Sequence, residues 1–429
     1  MEGRIAAMKF ALASYGTRGD VEPCLAVGIE LLRRGHEVRM AVPPDLVGFA
    51  ESIGLAVVAY GPDARRWQDL HRELLTHLRR NPWKVRDLRR LWRDDWQLFT
   101  RSWRETSTTL TSMADGADLL FTGVIGELAA ANVAEFHAIP LATLHTYPMR
   151  ANGQLAPFLP APLARSAVTV AEWPNWLMTK KLEDAQRREL GLPKAKGLPS
   201  RRIAERGSLE IQGYDEICFP GLPAEWTKWK DQRPFVGALT MELATEADDD
   251  VASWVANGAP PILFGFGSMP VESASDTLAM ISSTCAQLDQ RALVVSGGTD
   301  FSGVPHSGDI KVVGTLNLAA AFPTCRAVVH HGGSGTTAAS LRAGVPTLIL
   351  SSWPDQALWG YVVNRLNVGE TRRFSTTTRE TLIADLRTIL APQYAAQARE
   401  VASQMSKPTE SVATVADLLE KSARSRRVG

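Results

Sequence analysis

Few folds are open to a chain that runs from a buried strand through a glycine-rich turn straight into a helix, and residues 327–344 do this. Ala327-Val328-Val329 reads as the end of a buried parallel strand. His330-His331-Gly332-Gly333-Ser334-Gly335-Thr336-Thr337 follows, and Ala338, Ala339, Leu341 and Ala343 then recur at helical spacing until Gly344, before Pro346. The glycines therefore stand at a helix N-terminus, where the first N–H groups lack an intrahelical acceptor and the helix dipole is positive. Such a turn suits a diphosphate. Glycine lets the phosphate approach the backbone, Ser334 and Thr336 add hydroxyl donors, and His331 can donate from its imidazole or carry charge if it protonates near neutrality. Glycine also serves merely to bend a connection, so the turn alone does not decide its use.

The surrounding pattern is strand and helix in alternation. In the first half, Lys9–Ser14, Glu37–Val42, Leu55–Tyr60, Asp118–Thr122 and Pro140–Leu144 read as strands, with helices at Val21–Arg34 and Glu127–Phe136 among the connections. Ser208–Pro220 reads as the last strand of that half. The second half begins at Pro261-Ile262-Leu263-Phe264 and continues through 293–296, 310–313, 327–329 and 347–350. This alternation predicts an α/β chain with two parallel sheets, each covered on both faces, and ligands at the carboxyl ends of the strands. The 429 residues and 45% hydrophobic content allow each sheet its own core.

After the strand at 347–350 come Trp353-Pro354-Asp355-Gln356. A carboxylate and an amide side by side on that loop are suited to gripping sugar hydroxyls. Here the chain resembles the family 1 glycosyltransferases, inverting nucleotide-sugar enzymes with the GT-B fold. The resemblance lies in His331-Gly332-Gly333-Ser334-Gly335-Thr336 followed by Asp355-Gln356. It implies two Rossmann-like domains with a cleft between them: residues 8–220 for the acceptor, 221–258 as linker, 259–406 for the nucleotide sugar, and 407–429 as a helix returning to the first domain, bent at Pro408. It assigns the donor diphosphate to Ser268, His331, Gly333, Ser334, Gly335 and Thr336, the donor sugar to Asp355 and Gln356, and the nucleobase to Leu316 and Asn317. Plant relatives carry a glutamate eight positions after the cradle histidine for ribose, where this chain has Ala339. That leans toward a dTDP-linked donor and leaves a UDP-linked one open.

The turn after the first strand, Gly16-Thr17-Arg18-Gly19-Asp20, is similar to one that supplies the proposed general base in bacterial antibiotic and sterol glycosyltransferases. The resemblance makes Asp20 that base; the other reading is an N-cap for the following helix. Tyr15–Pro23, Val38–Asp45, Asp184–Pro193 and Pro234–Met241 narrow the likeness to mycobacterial glycosyltransferases of glycopeptidolipid and related cell-surface glycolipid assembly. A rhamnose or 6-deoxytalose donor and an amphiphilic lipid or lipopeptide acceptor are then expected. A sterol or natural-product glucosyltransferase, a GT-B epimerase and a non-catalytic helper protein are the alternatives.

Residues 65–104 hold twelve Arg or Lys and five acidic residues, with Trp67, Trp83, Trp92, Trp96 and Trp103 interleaved. Leu91, Trp92, Trp96, Phe99 and Trp103 form a helical stripe opposite Arg86, Arg89, Arg90, Arg93 and Arg104. That stripe either packs on its own domain or meets an anionic membrane or amphiphilic acceptor, so Trp92, Trp96 and Trp103, with His145 after a strand end, are acceptor candidates. Residues 147–199 show no clean periodicity. Overall, 47 basic residues balance 46 acidic ones, which gives no general field for nucleic acid. Cys24, Cys218, Cys285 and Cys325 lie far apart, without metal-ligand spacing. Asp248 and Asp250 spell DxD but precede a helix, as capping carboxylates do, and a GT-B enzyme needs no metal. No apolar run reaches the roughly 20 residues of a membrane span, and the short polar start is no signal peptide. A cytoplasmic protein, peripheral at the inner face of the plasma membrane, is expected.

Overall fold

The computed structural model describes residues 7–66, 69–70, 73, 77, 83–155, 159–267, 271, 273–301, 303–304 and 308–428. Among these, the strands form two six-stranded parallel sheets in two compact units.

The first unit contains β1 (Lys9–Ala13), α1 (Arg18–Arg33), β2 (Glu37–Val42), β3 (Val57–Ala59), α2 (Val85–Ala114), β4 (Leu119–Gly123), α3 (Glu127–Phe136), β5 (Leu141–His145), α4 (Ala161–Glu189), α5 (Pro199–Glu205) and β6 (Leu209–Gln212). The second contains α6 (Asp248–Ala256), β7 (Ile262–Gly265), α7 (Ala274–Gln287), β8 (Ala292–Val295), β9 (Ile310–Val313), β10 (Ala327–His330), α8 (Ser334–Ala343), β11 (Thr347–Ser351), α9 (Pro354–Arg365), β12 (Gly369–Arg373), α10 (Arg379–Ile389) and α11 (Pro392–Ala402). A last helix, α12 (Pro408–Val428), belongs to the first unit from Thr409 on.

The sheet orders, β3-β2-β1-β4-β5-β6 and β12-β11-β10-β7-β8-β9, are the same winding used twice. Each chain segment starts in a central strand, winds to one edge, and returns to the other side of its starting strand. The reversals fall between β1 and β4 and between β7 and β10, where such sheets open a crevice at the carboxyl ends of the strands. Strands buried on both faces explain the unbroken apolar runs: Phe10 to Ala13 and Ile262 to Phe264 are all nearly fully buried. In the second unit, Phe264 and Leu348 face one core cluster while Leu263 and Val328 face the other.

The boundaries differ from the sequence expectation. Residues 221–236 are part of the first unit, because Gln212 donates to Pro234 O at 2.8 Å and accepts from Val236 N at 3.1 Å. Residues 214–220 and 237–258 belong to the second, so 221–258 is not a separate linker. The last strand of the first half is only Leu209–Gln212. The described residues from Thr409 on belong to the first unit, where Arg34 reaches Asp417 at 2.5 Å and Glu420 at 3.1 Å. Pro408 opens that helix, at a position where its missing N–H has no cost, and the chain passes from the second unit to the first directly after it. The stretch read as irregular, 147–199, contains the 29-residue α4. Asp248 accepts from Thr245 N and Asn317 N, and Asp250 pairs with Lys311, so both carboxylates of the DxD spelling are engaged by protein groups. No helix among the described residues is long and apolar enough to cross a membrane.

Candidate active site

The glycine cradle lies at the reversal point of the second sheet. The first backbone bond of α8 runs from Thr337 N to Gly333 O at 2.9 Å, so the N–H groups of Ser334, Gly335 and Thr336 have no acceptor within the helix. Gly332 has φ +90°, and a Cβ there would lie 2.7 Å from Ile349 Cγ2 and 3.0 Å from Gln356 O. Only glycine fits, and its close approach joins the turn after β10 to the start of α9.

His331 sits between two more glycines. A Cβ on Gly333 would come 2.5 Å from its Nε2, and one on Gly267, at φ +61°, would come 2.6 Å from its Cε1. Gly297 in turn touches Gly267: a Cβ there would meet the Gly267 carbonyl oxygen at 2.0 Å. Burial pushes the His331 imidazole down to about 4, with the Gly265 backbone offsetting part of the effect. The ring is therefore neutral at pH 7, which favours the donating imidazole over the charged one of the two roles open in the sequence. Its Nδ1 is buried without a hydrogen-bonding partner on the Gly267 side, while Nε2 is the ring atom nearest Gly333 at the start of α8. Behind it, His330 Nδ1 accepts from Gly332 N at 3.0 Å and so fixes the turn.

Asp355 and Gln356 open α9 behind Pro354. Gln356 is buried, and its Oε1 accepts from Ser352 N at 2.8 Å and Trp353 N at 3.1 Å, which makes it a helix cap as well as a sugar-site candidate. Asp355 is half-buried, and desolvation raises its pKa against the lowering effect of the helix-start amides. Asn317 caps a short helix, accepting from Ala320 N at 3.4 Å, and Leu316 packs against the second core cluster. Ser268 lies outside the described residues.

In the first unit, the reversal point carries the turn with Asp20. The N-cap of α1 is Thr17, and Asp20 is the third helical residue of a capping box: its Oδ2 accepts from Thr17 N at 2.7 Å and Thr17 Oγ1 at 3.0 Å. Gly16, at φ +130°, makes room, since a Cβ there would lie 2.4 Å from that oxygen. The carboxylate is thus aimed by the cap and stays only half-buried.

His145 ends β5, fully buried, with Nε2 3.2 Å from Glu127 Oε1. Sequence reading missed what surrounds it. Arg150 bridges Glu127 and Glu210 at 2.6 Å each, and Arg233 holds the other Glu210 oxygen at 2.6 Å. Burial raises the pKa of Glu127, but Arg150 and His145 outweigh it and hold the carboxyl at about 2. Buried polar atoms without a protein partner also gather in this unit: Tyr15 and Tyr60 hydroxyls, Thr122 and Thr143 Oγ1, His145 Nδ1 and Trp103 Nε1. Thr122 and Thr143 are register partners, and Tyr15 and Tyr60 stack edge-on at 6.3 Å. The three candidate tryptophans separate: Trp103 packs on the core cluster, Trp96 stacks on Phe99 at 5.7 Å, and Trp92 stays 52% exposed.

Residues 279–420 match the C-terminal domain of the erythromycin biosynthesis protein CIII-like family, and residues 10–104 the N-terminal domain of glycosyltransferase family 28. The chain is 58% identical over 422 residues to an uncharacterized glycosyltransferase of Mycobacterium tuberculosis, covering 98% of this chain and 100% of that protein. It is 28% identical to glycosyltransferase GtfE of Amycolatopsis orientalis, over 96% of this chain and 97% of that one. Among solved structures, the kitacinnamycin glycotransferase superposes with a TM-score of 0.68 at 16% identity, over 98% and 100% of the two chains. Glycosyltransferase VinC, solved with dTDP, gives 0.63 at 17%, over 96% and 100%. With these matches beside two identically wound sheets and a cradle at a reversal point, the chain belongs to the GT-B glycosyltransferases, in one family with the mycobacterial proteins.

Proposed function

We propose that this glycosyltransferase moves a hexose or deoxyhexose, of the rhamnose or 6-deoxytalose type, from a dTDP- or UDP-linked donor to a hydroxyl of a lipid or lipopeptide in cell-envelope glycolipid synthesis. The observation that carries the donor half is the run of N–H groups on Ser334, Gly335 and Thr336 that find no acceptor within α8, next to the buried, neutral His331. A diphosphate supplies the acceptor oxygens that these donors lack. Ser268 is assigned to the same diphosphate, Leu316 and Asn317 to the base, and Asp355 and Gln356 to the sugar. Thymidine diphosphate is the favoured carrier, because Ala339 offers no carboxylate to a ribose hydroxyl and VinC is a fold neighbour solved with dTDP.

For the acceptor half, the support is the set of unpartnered polar atoms on Tyr15, Tyr60, Trp103, Thr122, Thr143 and His145, which a hydroxyl- and amide-bearing head group would satisfy. The acceptor oxygen bonds to the anomeric carbon as the bond to the diphosphate oxygen breaks, with inversion. The electron pair leaves on the diphosphate, where the dipole and amides of α8 stabilise it without a metal. Asp20 takes the hydroxyl proton, acting through position rather than basicity. An amphiphilic acceptor puts the enzyme at the inner face of the plasma membrane.

The test is mass spectrometry of reactions with purified protein, thymidine and uridine diphosphate sugars, and acceptors that include a mycobacterial lipid extract and a sterol. A lipid that gains one deoxyhexose from a thymidine donor is the expected product. Sugar on the sterol alone would move the acceptor class; donor isomerisation, or binding without turnover, would overturn transfer.

A further inference from the structure

Helix α4 is built inside out. Its buried residues are Ala164, Thr179, Glu183, Gln186 and Arg187. Gln186 donates to Ala129 O, Arg187 binds Asn132, Glu135 and Pro193 O, and Glu183 pairs with Arg202. The opposite side carries Leu163, Val170, Trp173, Leu177 and Met178, exposed by 58%, 65%, 47%, 60% and 45%. At about 100° per residue, Leu163, Val170, Pro174, Leu177 and Lys181 fall along one line, so the apolar side points away from the fold. A helix in a soluble domain ordinarily has the reverse arrangement.

Helix α2, which packs beside α4, shows the same trait in its first half. Trp83 just before it and Val85 and Trp92 on it are exposed, and with the five α4 residues they make up eight of the twelve large exposed hydrophobic residues among those described. Trp103, like Tyr15 just after β1, packs on the core cluster of the first unit, and the turns of α2 from Val85 to Arg93 precede it. Arg86, Arg89, Arg90 and Arg93 lie on these turns, exposed, and none forms an ion pair among the described residues.

Charge selects the partner. The centre of a protein–protein interface is depleted of charged groups, whereas unpaired arginines next to exposed tryptophans and aliphatic residues suit anionic headgroups over acyl chains. Neither helix can cross a bilayer. We propose that α2 and α4 together dock the first unit on an anionic lipid bilayer, α4 placing its apolar side among the acyl chains and α2 its arginines among the phosphates. The proposal rests on the reading of a lipid acceptor only for its purpose, since docking would bring the unit to where such an acceptor resides.

Flotation of the full chain with vesicles of phosphatidylcholine containing one-third phosphatidylglycerol tests it, with pure phosphatidylcholine as control. Binding to the anionic vesicles is expected, with a loss of at least about tenfold for the triple variant Val170→Ser, Leu177→Ser, Met178→Ser and a similar loss for Arg86, Arg89, Arg90 and Arg93 changed to Gln. The altered side chains are exposed, and unchanged thermal melting verifies folding. Wild type that ignores anionic vesicles, or variants that bind as wild type does, would overturn the proposal. So would a dimer in sedimentation velocity that the serine variant abolishes, which would assign the surface to a second copy. Transfer to a water-soluble, short-chain acceptor, followed in parallel, separates the two readings. Vesicle binding without transfer would remove the proposed function and leave docking intact; transfer without vesicle binding would do the reverse.

Discussion

His331 and Gly267 are in such close contact that one methyl group separates a working cradle from a blocked one: a Cβ on Gly267 would lie 2.6 Å from His331 Cε1. Gly267 also has φ +61°, so Gly267→Ala adds backbone strain to the clash. We expect the donor dissociation constant to rise at least about tenfold, or about 1.4 kcal/mol, with a much smaller change in melting temperature. Calorimetric titration with thymidine diphosphate checks both the affinity and the site count.

Because burial holds His331 at about 4, diphosphate binding at pH 7.5 should take up no proton at this ring. Titrations in buffers of different ionisation enthalpy should give the same binding enthalpy. The same shift bears on stability. Above the ordinary value of 6.5 the folded and unfolded rings are both neutral. As pH falls from 6.5 toward 4, only the unfolded chain takes up the proton, and stability declines. His331→Gln should remove that part of the decline.

Asp20→Asn separates capping from chemistry. The amide oxygen can still accept from Thr17 N, so α1 keeps its cap, whereas a proton acceptor is lost. Transfer should fall by at least about a hundredfold, within the range for a general base, with donor affinity nearly unchanged. Thr17→Ala should instead cost about 1 kcal/mol of stability as a lost cap and lower transfer less. Full activity in Asp20→Asn would remove the base assignment.

The buried network around Arg150 sets the acid limit of the first unit. Glu127 has a folded value of about 2 against an ordinary 4.5. Its contribution is complete above about pH 4.5 and is lost as pH falls through about 2. Glu127→Gln should flatten the acid branch of a melting-temperature profile. Arg150→Met leaves two carboxylates short of a partner and should destabilise by about 3–5 kcal/mol, visible in urea titration.

The parts of this molecule that obey simple periodicity were legible in the sequence. Runs such as Phe10 to Ala13 and Ile262 to Phe264 announced central strands, and Gly332 and Gly333 announced a turn with no room for a side chain. Asp20 and Gln356 stood out in the sequence as candidate site residues. The sequence also offered Asp20 as an N-cap, but the structure makes Thr17 the N-cap and Asp20 its third-residue partner. The capping role of Gln356 was not legible, because a cap is defined by backbone conformation as much as by residue type. Helix α4 was missed because periodicity assumes an apolar inner face, and its inner face is Thr179, Glu183, Gln186 and Arg187. The Arg150 network draws on residues 127, 145, 210 and 233, which only the folded sheet brings together. The neutrality of His331 follows from burial of its ring, which packs against Gly267, more than sixty positions earlier in the chain.

The segment Tyr214–Pro220 belongs to the second unit although it lies between two pieces of the first. Tyr214 and Phe219 pack edge-on against Trp359 at 6.3 Å and 5.8 Å, and Arg365 donates to the carbonyls of Ile217 and Cys218. Anyone building a hybrid enzyme by grafting the donor half onto a foreign acceptor half would be drawn to a single cut near residue 237. That cassette would leave behind the seven residues that plug its own aromatic cluster, and would carry away no seat for α12. A working exchange must move two separate stretches and return the chain to the host for its final helix.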